Sequence, residues 1–219
     1  MERTQEPELV THAAWLRVPA KIISYIFHPL FIPTYFFYFL IRLFPYEFPG
    51  INEWQLQLRF FSVFWLTAFF PAFAVFLLWR LKFSESIFLR TRKERIIPYV
   101  ITMFFYWWMY YLSRNFGDQP AVLKFFYLGI FISTVAGLIL NNYQKISLHG
   151  LALGGIWMAV ILTSVYYHTS LGLLIAIVTV IAGIVCTSRL LVSDHTNTEV
   201  YSGFVVGVLC QGVAYYFVI

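Results

Sequence analysis

His195 and Glu199 stand four residues apart near the C-terminal end of the chain. On a helix that spacing puts both side chains on one face. A carboxylate one turn from an imidazole can accept its Nδ1–H, which leaves Nε2 with a lone pair suited to a nucleophile or a general base. The same stretch reads equally well as a capping box, Thr196-x-x-Glu199, with His195 an ordinary surface residue. Upstream, His149 follows Lys145 and Ser147. A histidine beside a cation and a hydroxyl could act as a general acid near a bound anion, or simply cap a helix at an interface. Further upstream Arg90, Arg92, Lys93 and Arg95 crowd six positions around Glu94. Alone they are an ordinary juxtamembrane basic cluster. Taken with Arg189, the three segments hold the inventory that phosphoryl transfer needs: positive charge for the equatorial oxygens and groups in line on either side of phosphorus.

The elements that must position these residues are apolar. Of 219 residues 60% are hydrophobic and 11% charged, against about 25% charged in soluble domains. Runs of about twenty apolar residues cross a bilayer as helix. On that criterion the chain is an all-α polytopic transmembrane helical bundle of about seven spans, near 22–44, 60–81, 96–112, 122–140, 151–167, 171–187 and 200–219, with six spans and a re-entrant segment as the alternative count. It forms a single membrane domain, 1–219, with a polar tail over 1–20 and no cleavable signal peptide. Pro29 and Pro33 kink the first span. Gly150/Gly154 and Gly203/Gly207 are Gly-x-x-x-Gly pairs, which predict close helix packing. Cys186 and Cys210 fall in apolar runs and offer no disulfide framework.

With seven spans, the loops after the second, fourth and sixth lie on the face of the N-terminus, and these are the three loops that carry the polar residues above. The net charge of +5 gathers in short loops, which fits lipid headgroups or a phosphate ligand and not nucleic acid. Basic residues favour the motif face, which would put it in the cytoplasm, but that excess belongs largely to the motif loops, so the side stays open. His28, inside the first span, is an ionisable intramembrane residue and reads as an interfacial residue beside the proline kink. His168 reads as a loop residue, and His12 belongs to the tail.

At these residues the chain resembles the type 2 phosphatidic acid phosphatase superfamily. The family's third motif is Ser-Arg, five residues, His, three residues, Asp; here stand Ser188-Arg189, five residues, His195, three residues and Glu199. Its second motif, Pro-Ser-Gly-His, corresponds to Ile146-Ser147-Leu148-His149, with Ser and His kept. Its first, Lys, six residues, Arg-Pro, is absent; Arg92-x-x-Arg95-x-x-Pro98 stands in the right order, with Arg95 the nearest equivalent and Arg92 next. The resemblance covers 90–207, a motif-bearing core. It implies a metal-independent lipid-phosphate phosphatase, acting on a phosphomonoester or pyrophosphate without a cofactor. His195 would form a phosphohistidine, Glu199 would orient it, and His149 would protonate the leaving oxygen. Arg189, Ser147, Lys145 and Arg95 or Arg92 would hold the phosphate. Partners would be membrane lipids, and the location the bacterial cytoplasmic (inner) membrane. The altered motifs motivate a second expectation, a lipid-binding protein of the same fold without turnover. A small transporter is the third, disfavoured because the polar groups sit at span ends and not at the midplane.

Overall fold

The structure is a computed structural model that describes residues 13–84, 91–192 and 195–219. Most of the expected polar tail, with His12, lies outside the described residues, as do Arg90 of the first motif loop and Ser193 and Asp194 of the third. The described chain is helical, with no strand: α1 (Ala14–Ile26), α2 (Ile32–Leu43), α3 (Glu53–Phe64), α4 (Phe70–Arg80), α5 (Arg92–Asn115), α6 (Ala121–Asn141), α7 (Leu148–Tyr166), α8 (Gly172–Leu191) and α9 (Asn197–Val218).

Local sequence explains where these helices begin and bend. Asn52 with Gln55, Thr91 with Glu94 and Thr196 with Glu199 form capping boxes at the starts of α3, α5 and α9, satisfying backbone N–H groups that have no helical partner. Pro29 separates α1 from α2, and a single 3₁₀ turn, Pro29–Phe31, joins them. α3 and α4 form one rod interrupted by a π-helical turn at Trp65–Phe69. Pro71 has no N–H to close the normal turn onto Thr67, and the Phe70 N–H reaches back to the Trp65 carbonyl instead.

Six segments are long and apolar enough to cross a membrane: Ala14–Leu43, Glu53–Arg80, Ala121–Asn141, Leu148–Tyr166, Gly172–Leu191 and Asn197–Val218. The chain is therefore an integral membrane protein with about six candidate spans, not the seven expected. The difference lies at 96–112, which is indeed helical as the body of α5. Its tyrosines and its basic start keep it below the hydropathy of the other six. The N-terminus also differs from expectation. Residues assigned to a polar tail are helical from Ala14, so Arg17 rides on α1 one turn before Lys21.

Two packing centres hold the bundle. Phe36, Phe37 and Leu40 of α2 meet Phe125 and Phe126 of α6 in one buried cluster, with the Phe36 and Phe126 rings stacked at 4.1 Å. The second is the seam between α7 and α9. A Cβ at Gly150 or Gly154 would strike the carbonyls of Val200 or Phe204, and one at Gly203 or Gly207 those of Ser147 or Leu151. The two Gly-x-x-x-Gly pairs thus face each other, and the backbones touch. In lipid, where helices gain little by hiding apolar surface from one another, such close van der Waals contact is a main source of association.

Candidate functional site

The α9 cap builds the centre of the site. The Thr196 hydroxyl accepts the Glu199 N–H at 3.3 Å, and Glu199 Oε2 accepts the Thr196 N–H at 3.1 Å. That same oxygen accepts the His195 Nδ1–H at 3.0 Å. The capping box is present and the same carboxylate holds the imidazole, but His195 is buried and not the surface residue that the capping reading makes it. His195 is 6% exposed. Burial, with the charges of Arg95, Arg189 and Lys145 behind it, lowers its pKa to about 2, so at neutral pH the ring carries one proton. With that proton on Nδ1, Nε2 holds the lone pair.

The second motif segment is stitched to this cap. The Ser147 N–H donates to the Glu199 carbonyl at 3.0 Å, and Arg95 Nη1 donates to the Ile146 carbonyl at 3.4 Å. Ser147 is fully buried, and its hydroxyl accepts the Gly150 N–H as the cap of α7. Arg92 donates to the carbonyls of Asn142 and Tyr143, and Asn141 donates to the Arg92 carbonyl. The three loops do converge at one end of the bundle.

A fourth segment joins them. The imidazole of His149 bonds from Nε2 to the Ser24 carbonyl at 3.0 Å. A carbonyl only accepts, so Nε2 carries the proton and Nδ1 the lone pair. The ring of His28 stands edge-to-face with that of His149, centroids 5.6 Å apart. From the sequence, His28 sits at an interface and the first span begins only at 22, which leaves the first turns of α1 in the tail. The signal for them is the spacing Arg17, Lys21, Ser24, His28, a heptad-like stripe that runs along α1 and just beyond it.

These segments enclose a cavity of about 600 Å³. His195, His149, Arg95, Lys145 and Arg189 line it, joined by Arg17, Lys21 and His28 from the N-terminal segment. Its walls continue along apolar side chains, among them Ile32, Val75, Pro98, Ile130 and Ala152. Of the expected phosphate ligands, Ser147 and Arg92 lie off the cavity wall; the first serves as a helix cap and the second as a tie between α5 and the end of α6. Glu199 stands behind His195. Among the described residues, no three His, Cys, Asp or Glu side chains are grouped to hold a metal ion.

Comparison with protein-family models, curated proteins and solved structures finds no match for the chain. The functional argument therefore rests on the site itself. What it can do chemically follows from its parts: a neutral imidazole with a lone pair, a second imidazole across the cavity, cations around both, and an apolar body wide enough for hydrocarbon.

Proposed function

We propose that the protein is a membrane-embedded lipid-phosphate phosphatase of the type 2 phosphatidic acid phosphatase kind, using His195 as the nucleophile. The observation that carries this reading is the His195 Nδ1–Glu199 Oε2 hydrogen bond of 3.0 Å inside a cation-lined cavity. Such a bond is how an imidazole is held with the correct nitrogen available.

The chemistry would run in two steps. The Nε2 lone pair of His195 forms a bond to phosphorus while the bond from phosphorus to the lipid oxygen breaks. His149, protonated at Nδ1 beside the bound phosphate, gives that proton to the departing oxygen, and the lipid leaves as an alcohol or, from a diphosphate, as a monophosphate. Water then attacks phosphorus and its proton returns to Nδ1. The phosphorus–nitrogen pair goes back to Nε2, and inorganic phosphate is released. Arg95, Lys145 and Arg189 balance charge on the equatorial oxygens. The hydrocarbon chain takes the apolar part of the cavity.

A second reading, a lipid-phosphate binder without turnover, is favoured by one observation: Ser147 is fully buried off the cavity wall, where the resemblance would have it hold phosphate. Phosphate release from phosphatidic acid and from a polyprenyl diphosphate, in detergent with chelator present, separates the two. Release that persists in chelator and is abolished in His195→Ala supports the phosphatase. A folded wild type that binds these lipids and releases nothing supports the binder.

A further inference from the structure

The segment joining α1 to α2 has no part in the chemistry above, yet it forms one wall of the cavity. We propose that His28 is a further ligand-contacting residue of this site, donating from Nε2 to the bound anion and holding the ring of His149 from the side. The inference rests on the phosphate reading of the cavity and adds to it a residue outside all three motif segments.

Three observations point this way. The Leu30 N–H donates to His28 Nδ1 at 3.4 Å, so the proton of the neutral ring sits on Nε2, at the far edge of the ring. That ring lines the cavity and stands at 82° to the ring of His149, with Phe31 packed against its other side at 6.2 Å. Third, His28 stands just beyond α1 and continues a polar stripe on that otherwise apolar helix. Arg17, Lys21 and Ser24 line the same cavity, while Trp15, Val18, Ile22 and Ile26 are exposed on the rest of α1. A helix that only anchors the chain in lipid has no use for such a stripe. The titratable groups that line the cavity with His28 are cations, imidazoles and the phenols of Tyr25, Tyr99 and Tyr106, and none is a carboxylate. An anion is the ligand that an N–H donor in that company would meet.

The simpler role for His28 is to cap the 3₁₀ turn through Nδ1. Asp, Asn and Ser cap such turns as well as histidine does, and this separates the two roles. His28→Asp keeps the cap, loses the donor and adds a negative charge. His28→Gln gives up the cap but carries an amide N–H to the reach of Nε2. Binding of a non-cleavable phosphonate analogue of dioctanoyl phosphatidic acid to the full-length protein in detergent, followed by calorimetry, reads the difference. Loss of a hydrogen bond to a charged group corresponds to roughly ten- to a hundredfold, so His28→Asp is expected to bind at least about tenfold more weakly. His28→Gln should stay within about threefold, and His28→Asp should melt with the wild type. Should His28→Asp fail to fold, His28→Ser, which caps but cannot reach, takes its place with the same expectation. Equal binding by wild type and His28→Asp overturns the inference and leaves the phosphatase reading standing. A folded wild type that does not bind the phosphonate removes the phosphate reading and this inference with it.

Discussion

His149 on α7 donates to the backbone carbonyl of Ser24 on α1, joining positions 125 residues apart. The carbonyl is available because the helix ends there. In an uninterrupted helix the N–H of residue 28 would take it, but the chain leaves α1 at Ile26 and turns at Pro29. The last carbonyls of a helix lack internal partners, and here they are used. Ser24 orients a histidine of the cavity, and Ile26 accepts the hydroxyl of Tyr35 at 2.8 Å.

Pro29→Ala should therefore act on chemistry more than on folding. With an N–H restored and the ring removed, α1 can run on towards α2 and draw the Ser24 carbonyl back into the helix. His149 then loses its orientation. A misplacement of about 1 Å can cost about 100-fold in rate, and turnover should fall on that scale while helix content by circular dichroism is unchanged or higher.

Glu199→Gln tests the charge behind the ring. Glu199 Oε2 accepts both the Thr196 N–H and the His195 Nδ1–H, so a glutamine oxygen in its place keeps the α9 cap and the tautomer. What is lost is the negative charge that would stabilise the ring once Nε2 bonds to phosphorus. In hydrolases with a carboxylate–histidine pair, a change that also inverts the tautomer costs about 10⁴-fold. Phosphate release is expected to fall here by less than that, with a melting temperature near that of wild type.

The buried, neutral state of His195 has a consequence for stability. In the unfolded chain the ring takes a proton near its ordinary pKa of about 6.5; in the folded chain it does so only near 2. Between those values the unfolded state binds the extra proton, so stability falls as pH falls. His195→Asn, which has no proton to take up, should show a shallower loss between pH 6 and 4, by about 1.4 kcal/mol per pH unit at most. Unfolding in detergent across that range measures it. Above pH 6.5 the two slopes should coincide.

The α7–α9 seam predicts a sharp contrast among glycines. Gly154→Ala or Gly207→Ala puts a methyl against a carbonyl of the facing helix and should cost about 1–3 kcal/mol, as overpacking does. Gly183→Ala on α8 meets nothing within 4 Å and should be neutral or stabilising, by up to about 1 kcal/mol. Thermal unfolding of the three variants in one detergent suffices.

Much of the site was legible because it is local. His195 precedes the α9 cap and is not on the helix, yet the Thr196–Glu199 capping box, written in four consecutive residues, turns the carboxylate back onto its ring. The glycine pairs were legible for the same reason, since a close-packing face needs only small residues at one period. What escaped was not local. Nothing near residue 24 tells that its carbonyl meets His149. Arg17 reads as part of a tail because hydropathy averages around the whole helix and hides a stripe on one face. The same averaging counted 96–112 with the spans, although its tyrosines and basic flank set it apart. Arg92 and Arg95 lie three residues apart in one basic cluster, and only packing shows that Arg95 lines the cavity while Arg92 braces the loop after α6. Ser147 reads as a phosphate donor because a hydroxyl beside a histidine can be one, and only packing shows that it is buried off the cavity wall.

The glycine seam also divides the cavity into two mechanical halves. His149 rides on α7, and His195 and Glu199 ride at the start of α9, helices clamped backbone to backbone. Their mutual register behaves as a rigid jig that a bound chain of any width leaves undisturbed. The opposite walls, α1, α4 and α5, carry no such clamp against α7 or α9, and their bulky, sliding side chains can yield. Natural variation in what the cavity admits should thus collect on those walls, while the jig holds its spacing.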